Sequence, residues 1–354
     1  MTIQENIELA PFTTIQLGGR AKYFCSCASE EELRDALFFA GRKKLRTHIL
    51  GGGSNTIFLD EGFDGLVIKI NFKGITFTDN GKEILVSAKA GEDWDSLVSL
   101  CAEQGYAGIE CLSGIPGSVG AVPIQNVGAY GQEVKDTIEK VKVIHQSTFN
   151  RISFSKFDCR FSYRMSRFKR EDAGKYIVTE VVFRLQKNGR PTTAYPEVKQ
   201  TMESQLHLPS LADGKEALEA VRKTVLSLRR KKSMVIDAND MNTKSVGSFF
   251  LNPFVDNEQF SLMTERWKSA GNETVIPSFS SEGKIKLPAA WLIEKSGFHK
   301  GYTTQGAGIS ENHSLALVNR GGTTKDLLNL AKEIQEGVQE KFGVRLELEV
   351  NVIQ

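Results

Sequence analysis

A glycine- and proline-rich stretch over residues 111–131 constrains the fold of this chain more than any other segment. It contains Gly114, Pro116, Gly117, Gly120, Pro123, Gly128 and Gly131. A regular helix or strand is not expected at that density, because glycine favours turns and proline fixes φ and lacks an N–H donor. Apolar side chains at Val119, Val122, Ile124 and Val127 lie between them, and an irregular surface loop does not account for these. The stretch therefore predicts a rigid main chain against which a bound cofactor can press.

A second glycine-rich loop, Gly51–Asn55, lies between two predicted strands, Thr47–Leu50 and Thr56–Leu59. Its small residues let backbone N–H groups approach an anion closely. A dinucleotide-binding fingerprint places a helix after the loop, so the strand that follows here argues against one. Taken alone, the loop fits a plain glycine hairpin better than a phosphate site.

Hydrophobic periodicity predicts a mixture of helices and strands, and so an α+β fold. Predicted helices follow the capping box Ser29–Glu32, carry Trp94–Cys101, and span residues 214–232 and Thr324–Phe342. Predicted strands include Leu66–Ile70, Ile84–Ala88, Lys140–His145, Tyr176–Leu185 and a last, strictly alternating strand at Val344–Asn351. The polar, turn-forming segment Lys187–Pro191 is the best candidate for a linker between domains.

Composition places the chain among globular proteins that need neither disulfides nor a metal to fold. It has 354 residues, enough for about two domains, with 40% hydrophobic residues, 25% charged residues and a net charge of +2. So small a net charge does not favour nucleic acid or membrane binding, and the N-terminus lacks the features of a signal peptide. The five cysteines lack Cys-x-x-Cys spacing and the histidines lack His-x-x-x-His spacing. These patterns predict reduced thiols, no metal site and a cytoplasmic location.

Two polar blocks set in apolar sequence are candidates for reaction chemistry. Cys159–Arg164 brings Tyr163 and Arg164 next to further cations and interleaved phenylalanines. One interpretation of that cluster is a solvated basic face, whereas a buried Arg164 would require an anionic partner. In Gly247–Pro253, Ser248 lies between a glycine and two phenylalanines, where it is either a turn serine or a proton donor to carbon.

Two further charged segments have both a structural and a functional interpretation. The cations of Arg229–Lys232 end a predicted helix, where they complement its dipole and also suit a sugar-nucleotide diphosphate. Glu349 shares the polar face of the last predicted strand with Glu347. Two carboxylates raise each other's pKa if they are close, but an exposed strand edge would explain both residues without any chemical role.

In their order along the chain, these blocks resemble the UDP-N-acetylenolpyruvoylglucosamine reductase family, flavoenzymes of bacterial cell-wall synthesis. The resemblance runs from Phe12–Gly19 to Leu346–Val350. Its specific motifs are Leu50–Asn55, Ile115–Gly131, Cys159–Arg164, Gly247–Pro253, Lys286–Ile293 and Gly306–Ser310. The chain is similar to the type I form, because Thr193–Glu197 resembles the loop whose tyrosine closes over the nucleotide in that form.

The resemblance implies a two-part PCMH-type (vanillyl-alcohol-oxidase-like) FAD-binding domain over residues 1–188, divided near residue 70. A linker with the tyrosine lid would cover residues 189–212. A smaller α+β substrate-binding domain would cover residues 213–354, with its last strand contributing to the active site. One FAD would bind noncovalently along the two glycine-rich loops. The implied cofactor-binding residues are Leu50, Gly51, Gly52, Gly53, Ser54, Asn55, Ile115, Pro116, Gly117, Ser118, Gly120, Ala121, Gln125, Asn126, Gly128, Ala129 and Tyr130.

The resemblance also implies a reaction, in which NADPH reduces the flavin and UDP-N-acetylglucosamine enolpyruvate is then reduced to UDP-N-acetylmuramate. Ser248 would be the proton donor, with Arg164 and Glu349 as its catalytic partners. The implied substrate-binding residues are Tyr163, Tyr195, Lys232, Asn252 and His313. This chain departs from the best-known type I form in two places. The segment between Lys232 and Ser248 is a few residues longer, and Asn351 stands where that form has an arginine.

Two other functions fit part of the same pattern. Another PCMH-type FAD-dependent oxidase or dehydrogenase would keep both glycine-rich loops but would need neither Gly247–Pro253 nor Leu346–Val350. An inactive nucleotide-sugar-binding homologue would lose the proton donor, whereas Ser248, Arg164 and Glu349 are all present. We expect a cytoplasmic monomer that acts on a small-molecule substrate, with no nucleic acid, membrane or metal partner.

Overall fold

The structure is a computed structural model that describes residues 1–206, 213–281 and 283–354. The chain forms two compact units. Unit 1 consists of Met1–Ile7, Ala21–Gly53 and Asp64–Val235, and unit 2 consists of Glu8–Arg20, Ser54–Phe63 and Ile236–Gln354. Among the helices of these described ranges, none combines the length and the apolar character needed to cross a membrane.

Unit 1 is built on β-sheets whose strands contain those predicted from the sequence. One sheet has the strand order Gln4–Glu8, Arg20–Cys27, Phe63–Ile70 and Arg46–Leu50, with the last two strands parallel. Another has the order Arg151–Ser155, Ile138–His145, Tyr176–Lys187, Glu83–Lys89 and Ile75–Asn80, with Tyr106–Ala107 also pairing with Tyr176–Lys187. A short hairpin pairs Gly128–Ala129 with Gln132–Glu133. Short 3-10 turns occur at Glu110–Leu112, Val119–Ala121 and Val134–Asp136.

Four helices are described in unit 1, and the first begins at the Ser29–Glu32 capping box that the sequence indicates. They are α1 (Glu30–Lys43), α2 (Trp94–Glu103), α3 (Pro196–Leu206) and α4 (Lys215–Lys231). The Ser29 side chain accepts a hydrogen bond from Glu32 N at the start of α1, and Asp93 caps α2 in the same way. Proline at the first position of α3 suits a helix start, because the N–H that it lacks would have no partner there.

Unit 2 combines α5 (Asn257–Ser269), α6 (Ala289–Lys295) and α7 (Thr324–Phe342) with short strands. One sheet has the order Ser245–Ser248, Ala316–Asn319 and Ala307–Ile309, another has Phe254–Val255, Lys284–Lys286 and Phe279–Ser281, and Asn351–Ile353 pairs in parallel with Thr56–Phe58. Further 3-10 turns occur at Ala10–Phe12 and Met241–Thr243. The predicted helix Thr324–Phe342 is confirmed, with a capping box at Thr323 and a left-handed Gly343 at its end.

The division into units differs from the expected domain boundaries. The family resemblance implies a second domain that starts at residue 213, whereas α4 and the chain as far as Val235 belong to unit 1. The reason is the apolar face of α4, which packs with Cys111 and with Val198 and Met202 of α3. Within the expected linker of residues 189–212, α3 is a regular helix, and residues 207–212 lie outside the described residues. Residues 8–20 and 54–63, expected in the FAD-binding domain, belong to unit 2.

The predicted last strand, Val344–Asn351, is wrong as a continuous strand. Leu346 and Val350 are buried as the alternation requires, but the segment pairs through a single bridge between Leu348 and Phe250. The regular strand begins at Asn351, because its partner Thr56–Phe58 extends along the following residues. Sequence alternation reports which face is buried, and it does not reveal where a distant partner strand lies.

Candidate active site

The two glycine-rich loops predicted to hold a cofactor lie directly against each other in unit 1. A Cβ atom on Gly51 would lie 2.5 Å from Ser118 Oγ, and one on Gly52 would lie 2.6 Å from Gly117 Cα. Side chains at these positions would overlap the neighbouring loop, so both require glycine. The loops therefore present main chain to any ligand that lies along them.

Hydrogen bonds fix the longer loop on the turn that precedes α2. Trp94 N donates to Gly117 O at 3.1 Å, and Gly120 N donates to Ala90 O at 2.9 Å. A Cβ atom on Gly120 would lie 2.6 Å from Ala90 Cβ, so the two segments are packed as closely as backbone allows. The loop is rigid although much of it is irregular, as the sequence predicts.

Asn126 holds the far end of the same loop from a buried position. Its Nδ2 donates to Glu133 Oε2 at 3.1 Å and to Ser162 O at 3.0 Å, and its Oδ1 accepts from Lys135 N at 3.1 Å. Its φ of 44° is in the left-handed region, which asparagine tolerates better than most residues. This one side chain ties the loop both to the hairpin that follows and to the Cys159–Arg164 block.

The other predicted cofactor-binding residues lie along the same loops and differ in exposure. Leu50, Gly53 and Ser118 are buried, Gly51, Ile115, Pro116, Gln125, Gly128, Ala129 and Tyr130 are partly exposed, and Gly52 and Ala121 are exposed. Ser54 and Asn55 belong to unit 2. The partly exposed backbone between rigid anchor points is the surface that a cofactor could contact.

The Arg164 guanidinium is fixed against the glycine-rich loop. Its Nη2 donates to Gly128 O at 2.7 Å, and the guanidinium carbon lies 5.5 Å from the centre of the Tyr163 ring. Arg164 also has a left-handed φ of 53°. Arg160 in the same block is exposed and pairs with Glu171. The block therefore divides into a solvated cation and a half-buried, positioned one.

Two buried polar atoms near these loops have no hydrogen-bond partner among the described residues, and they are Ser162 Oγ and Arg229 Nε. Ser162 follows Phe161 in the Arg164 block, and a Cβ atom on Gly114 would lie 3.4 Å from Arg229 Nε. Buried polar groups in native proteins normally have a partner, which can be a bound ligand. Rigid glycine loops with unsatisfied polar atoms beside them fit a bound FAD.

Lys232 and Tyr195, both predicted to bind substrate, lie in one cluster of unit 1. Lys232 Nζ lies 2.7 Å from Glu197 Oε2 and 5.7 Å from the centre of the Tyr130 ring. The Tyr130 and Tyr195 rings meet edge to face at 5.4 Å, and burial raises the pKa of Tyr130 to about 12. Lys199 N donates to Tyr195 O at 3.0 Å, so Tyr195 is held by the first turn of α3.

The remaining cations of Arg229–Lys232 have different environments. Arg229 is buried and its Nη2 donates to Met234 O at 2.8 Å. Burial lowers the pKa of its guanidinium, against the opposing effects of Tyr130 and Asp95. The other two cations of the run, Arg230 and Lys231, are exposed at the end of α4, where they complement the helix dipole.

Ser248 and Glu349 lie on adjacent backbone segments of unit 2. Ser248 pairs with Ala316 in the sheet, and Glu349 N donates to Phe249 O at 2.9 Å. Phe249 and Phe250 are buried, while Ser248 and Glu349 are half-buried. The residues that carry this hydroxyl and this carboxyl group thus lie on neighbouring segments, and two buried phenylalanines follow Ser248 in the sequence.

The other predicted residues of unit 2 have clear structural roles. Asn252 Oδ1 accepts a hydrogen bond from Ala289 N at 2.9 Å, in the first turn of α6. His313 lies in the turn between two strands, where its carbonyl accepts from Ala316 N at 3.1 Å. Asn55 Nδ2 donates to Glu349 O at 3.3 Å, so a predicted cofactor-binding residue positions the backbone of a predicted catalytic one.

By the family resemblance, Asn351 is at one of the two places where the sequence departs from the best-known type I form, and its hydrogen bonds lie within unit 2. Its backbone N and its Nδ2 both donate to Asn55 O, at 3.1 and 3.2 Å. The residue therefore supports the segment that carries Glu349.

Two carboxylates that sequence reasoning did not single out fix the framework of unit 1. Glu110 is buried, and its Oε1 accepts from Gln132 Nε2 and from Thr192 N, each at 2.8 Å. Asp95 Oδ1 accepts from Gly114 N at 2.6 Å. No sequence signal reveals them, because each resembles an ordinary acidic residue of a helix or turn and its partners are distant in sequence.

The described ranges contain neither a cluster of metal ligands nor a disulfide bond. No group of three or more His, Cys, Asp and Glu side chains there is arranged to hold a metal ion. All five cysteines are buried free thiols, among them the neighbours Cys25 and Cys27, whose sulfur atoms lie 4.0 Å apart.

Family models match both ends of the chain. An FAD binding domain matches residues 21–147, and the C-terminal domain of UDP-N-acetylenolpyruvoylglucosamine reductase matches residues 239–353. The expected α+β fold with an FAD-binding domain is confirmed by these matches and by the mixed helices and strands.

Individual relatives match over nearly the whole chain. UDP-N-acetylenolpyruvoylglucosamine reductase of Thermobifida fusca is 44% identical over 348 residues, covering 96% of this chain and 95% of that protein. The enzyme of Streptomyces coelicolor is 43% identical, covering 96% and 87%. The crystal structure of UDP-N-acetylenolpyruvylglucosamine reductase from Thermus caldophilus matches with a TM-score of 0.67 at 26% identity, covering 100% of both chains. The chain therefore belongs to the UDP-N-acetylenolpyruvoylglucosamine reductase family.

Proposed function

We propose that this protein reduces UDP-N-acetylglucosamine enolpyruvate to UDP-N-acetylmuramate, with noncovalent FAD and with NADPH as the reductant, in peptidoglycan precursor synthesis. The observation that supports the proposal is the backbone hydrogen bond from Glu349 N to the carbonyl of Phe249, the residue after Ser248, so the proposed proton donor and the proposed charge-stabilising carboxyl group lie on neighbouring segments. Membership of the family supports the same reaction. The five free thiols favour a reducing, cytoplasmic location, where the protein acts as a monomer.

Reduction of the enolpyruvyl ether adds one hydride and one proton across its carbon–carbon double bond. FAD held along the loops Leu50–Asn55 and Ile115–Tyr130 would supply the hydride to C3, with NADPH as its source. Negative charge then develops on C2 and the adjacent carboxylate, and the Arg164 guanidinium and a protonated Glu349 stabilise it. The Ser248 hydroxyl donates its proton to C2, which completes the lactyl ether of the product.

The remaining predicted residues bind the nucleotide sugar. Lys232 contributes a cation for the diphosphate, since charge-assisted hydrogen bonds to phosphate are strong. Tyr163, Tyr195, Asn252 and His313 supply further polar contacts. Tyr195 would close over the nucleotide from the start of α3.

Anaerobic spectroscopy of the purified FAD-loaded protein tests the proposal. NADPH should bleach the yellow flavin absorbance, and UDP-N-acetylglucosamine enolpyruvate should restore it without oxygen. A flavin that is bleached only by a small alcohol or hydroxy acid would identify an oxidase or dehydrogenase instead. A flavin that responds to neither reagent, while the nucleotide sugar still binds, would identify an inactive homologue.

A further inference from the structure

The cation assigned to the substrate diphosphate already has a carboxylate partner within unit 1. Lys232 Nζ lies 2.7 Å from Glu197 Oε2, within both ion-pair and hydrogen-bond distance. The two residues lie at opposite ends of their helices, since Lys232 follows α4 and Glu197 is in the first turn of α3. A diphosphate cannot use this ammonium fully while the carboxylate holds it.

We propose that Glu197 is a positioning residue that holds Lys232 in the nucleotide-free enzyme and is displaced by the substrate diphosphate. The proposal rests on the proposed function, because that function assigns Lys232 to the diphosphate. Glu197 thereby lowers the affinity for the nucleotide and limits it to ligands with enough negative charge to replace a carboxylate.

Packing keeps the backbone of Glu197 in place during this exchange. The next residue, Val198, is fully buried, and together with Met202 it packs against Val221 and Val225 of α4. Since α3 is anchored on α4, the helix itself need not move. The pair can break by rotation of the two side chains alone.

The exposure of the pair makes it exchangeable. The side chains are 36% exposed at Lys232 and 37% exposed at Glu197, so water reaches both groups. Ion pairs of this kind are weak, because solvent screens the attraction and two long side chains lose rotational freedom. A diphosphate carries more charge than a carboxylate and accepts several charge-assisted hydrogen bonds, so it can displace Glu197.

The same displacement is linked to Tyr195. Tyr195 precedes Glu197 by two residues, and its ring contacts Tyr130, whose ring lies beside Lys232. A change at the ammonium therefore alters the surroundings of both tyrosines. This series of contacts connects diphosphate binding with the proposed closure of Tyr195.

Titration of the FAD-loaded protein with UDP, measured by calorimetry, tests the proposal. Glu197→Gln removes the competing charge and should tighten UDP binding about 2- to 6-fold, the range expected for one solvent-screened charge interaction. The gain should shrink at high salt. Glu197→Asp shortens the side chain, weakens the pair and should give a smaller gain. Glu203→Gln is the matched control, because Glu203 lies on the same helix, is exposed and forms an ion pair with Lys199. This substitution should leave the affinity for UDP unchanged.

A double-mutant cycle separates this role from a merely structural one. In a Lys232→Met background, Glu197→Gln should no longer tighten UDP binding, because no ammonium is left to release. Unchanged or weaker UDP binding by Glu197→Gln, with the flavin still reduced by NADPH, would overturn the proposal. Failure of the native protein to bind UDP at all would instead overturn the proposed function, and this inference with it.

Discussion

Ser248 is held in place by the backbone on both sides of it. It pairs with Ala316 in the sheet, and the next residue accepts a hydrogen bond from Glu349 N. None of these hydrogen bonds uses the Ser248 hydroxyl. The hydroxyl group can therefore be removed without loss of the pairing that positions it, and a substitution here tests chemistry separately from folding.

We predict that Ser248→Ala leaves the reduction of the flavin by NADPH nearly unchanged and blocks the oxidation by the enolpyruvyl substrate. Only the second half-reaction requires a proton to be delivered to carbon, and loss of a positioned proton donor slows such a step by about 10²- to 10⁴-fold. Stopped-flow spectroscopy of the flavin measures the two half-reactions separately. Ser248→Cys retains a transferable proton and should recover part of the rate.

Ser245→Ala provides the matched control in the same strand. The Ser245 hydroxyl accepts a long hydrogen bond, 3.3 Å, from Gly247 N. Its loss should leave both half-reactions close to their native rates. If Ser248→Ala slowed both half-reactions equally, its role would be structural. If it slowed neither, another group would be the proton donor.

Sequence reasoning at the scale of residues names candidate reactive groups but not the partners that hold them. It singled out Arg164 but could not show that its guanidinium is held by a backbone carbonyl of the glycine-rich loop. It leaves open whether Glu347 and Glu349 lie close together or on an exposed strand edge, and in the structure Glu347 is exposed whereas Glu349 is half-buried. Partners that are 36 residues apart, as Arg164 and Gly128 are, leave no mark in local sequence, and only the fold brings them together.

At the scale of elements, one ion pair joins α2 to α4 in unit 1. Arg222 donates to both carboxylate oxygens of Asp95, at 2.5 and 2.9 Å, in the bidentate geometry that gives strong charge-assisted bonds. Burial acts to raise the pKa of Asp95, but the hydrogen bonds from Arg222 and Gly114 N outweigh it and hold the pKa below its usual range. Such a carboxylate stabilises the fold above its unfolded pKa, and the contribution is lost as the pH falls through the folded pKa.

We predict that Asp95→Asn lowers the free energy of unfolding of unit 1 by about 1.5–3 kcal/mol at pH 7, the range for hydrogen bonds to a charged group. The difference in unfolding free energy between the two proteins should shrink below about pH 4. There the Asp95 carboxyl group becomes protonated in the unfolded state of the unsubstituted protein. Urea denaturation of both proteins at pH 7 and pH 3 measures this. Asp79→Asn breaks an exposed pair with Lys187 and should have little effect. A deficit of equal size at both pH values would mean that packing, and not charge, is lost.

Substitution by alanine should have opposite effects on stability at two helical glycines. In α1, a Cβ atom on Gly41 would meet no atom within 4 Å, so Gly41→Ala should stabilise the protein by about 0.5–1 kcal/mol through helix propensity. In α7, a Cβ atom on Gly337 would lie 2.7 Å from Phe298 Cε2, and that ring is buried against Tyr302. Gly337→Ala should therefore destabilise it by about 1–3 kcal/mol through overpacking. Thermal unfolding measures both, and equal shifts would contradict the packing argument.

Elements with strong local signals were the ones predicted correctly. The capping box and the left-handed Gly343 define α7, and Ser29 defines the start of α1. The helix α3 was missed because its apolar residues are few, and its helical state depends on packing against α4. The last strand is predicted too early, ending at Asn351 where the regular strand begins, because its pairing partner is supplied by residues 56–58.

At the scale of the whole molecule, the two units do not correspond to two continuous stretches of chain. Unit 2 takes residues 8–20 and 54–63 from the N-terminal part of the sequence. Ile15, Leu17 and Ile57 from these segments are buried in the core of unit 2. Asn319 Nδ2 also donates to Ile15 O at 3.1 Å. The family model for the C-terminal domain starts at residue 239, so it omits these parts of the core.

We therefore predict that a fragment of residues 236–354 does not fold on its own. It would lack the strand Thr56–Phe58, which pairs with Asn351–Ile353, and it would expose the cavity left by three buried apolar side chains. Loss of a single large buried side chain already destabilises a domain by about 2–5 kcal/mol, a large share of the usual stability. NMR spectra of the fragment should lack the dispersion of folded protein. A matched fragment with residues 8–20 and 54–63 joined to it by glycine–serine linkers should recover that dispersion, because both missing segments are restored. A native-like spectrum from residues 236–354 alone would show that residues 8–20 and 54–63 are not needed for the core of unit 2 to fold.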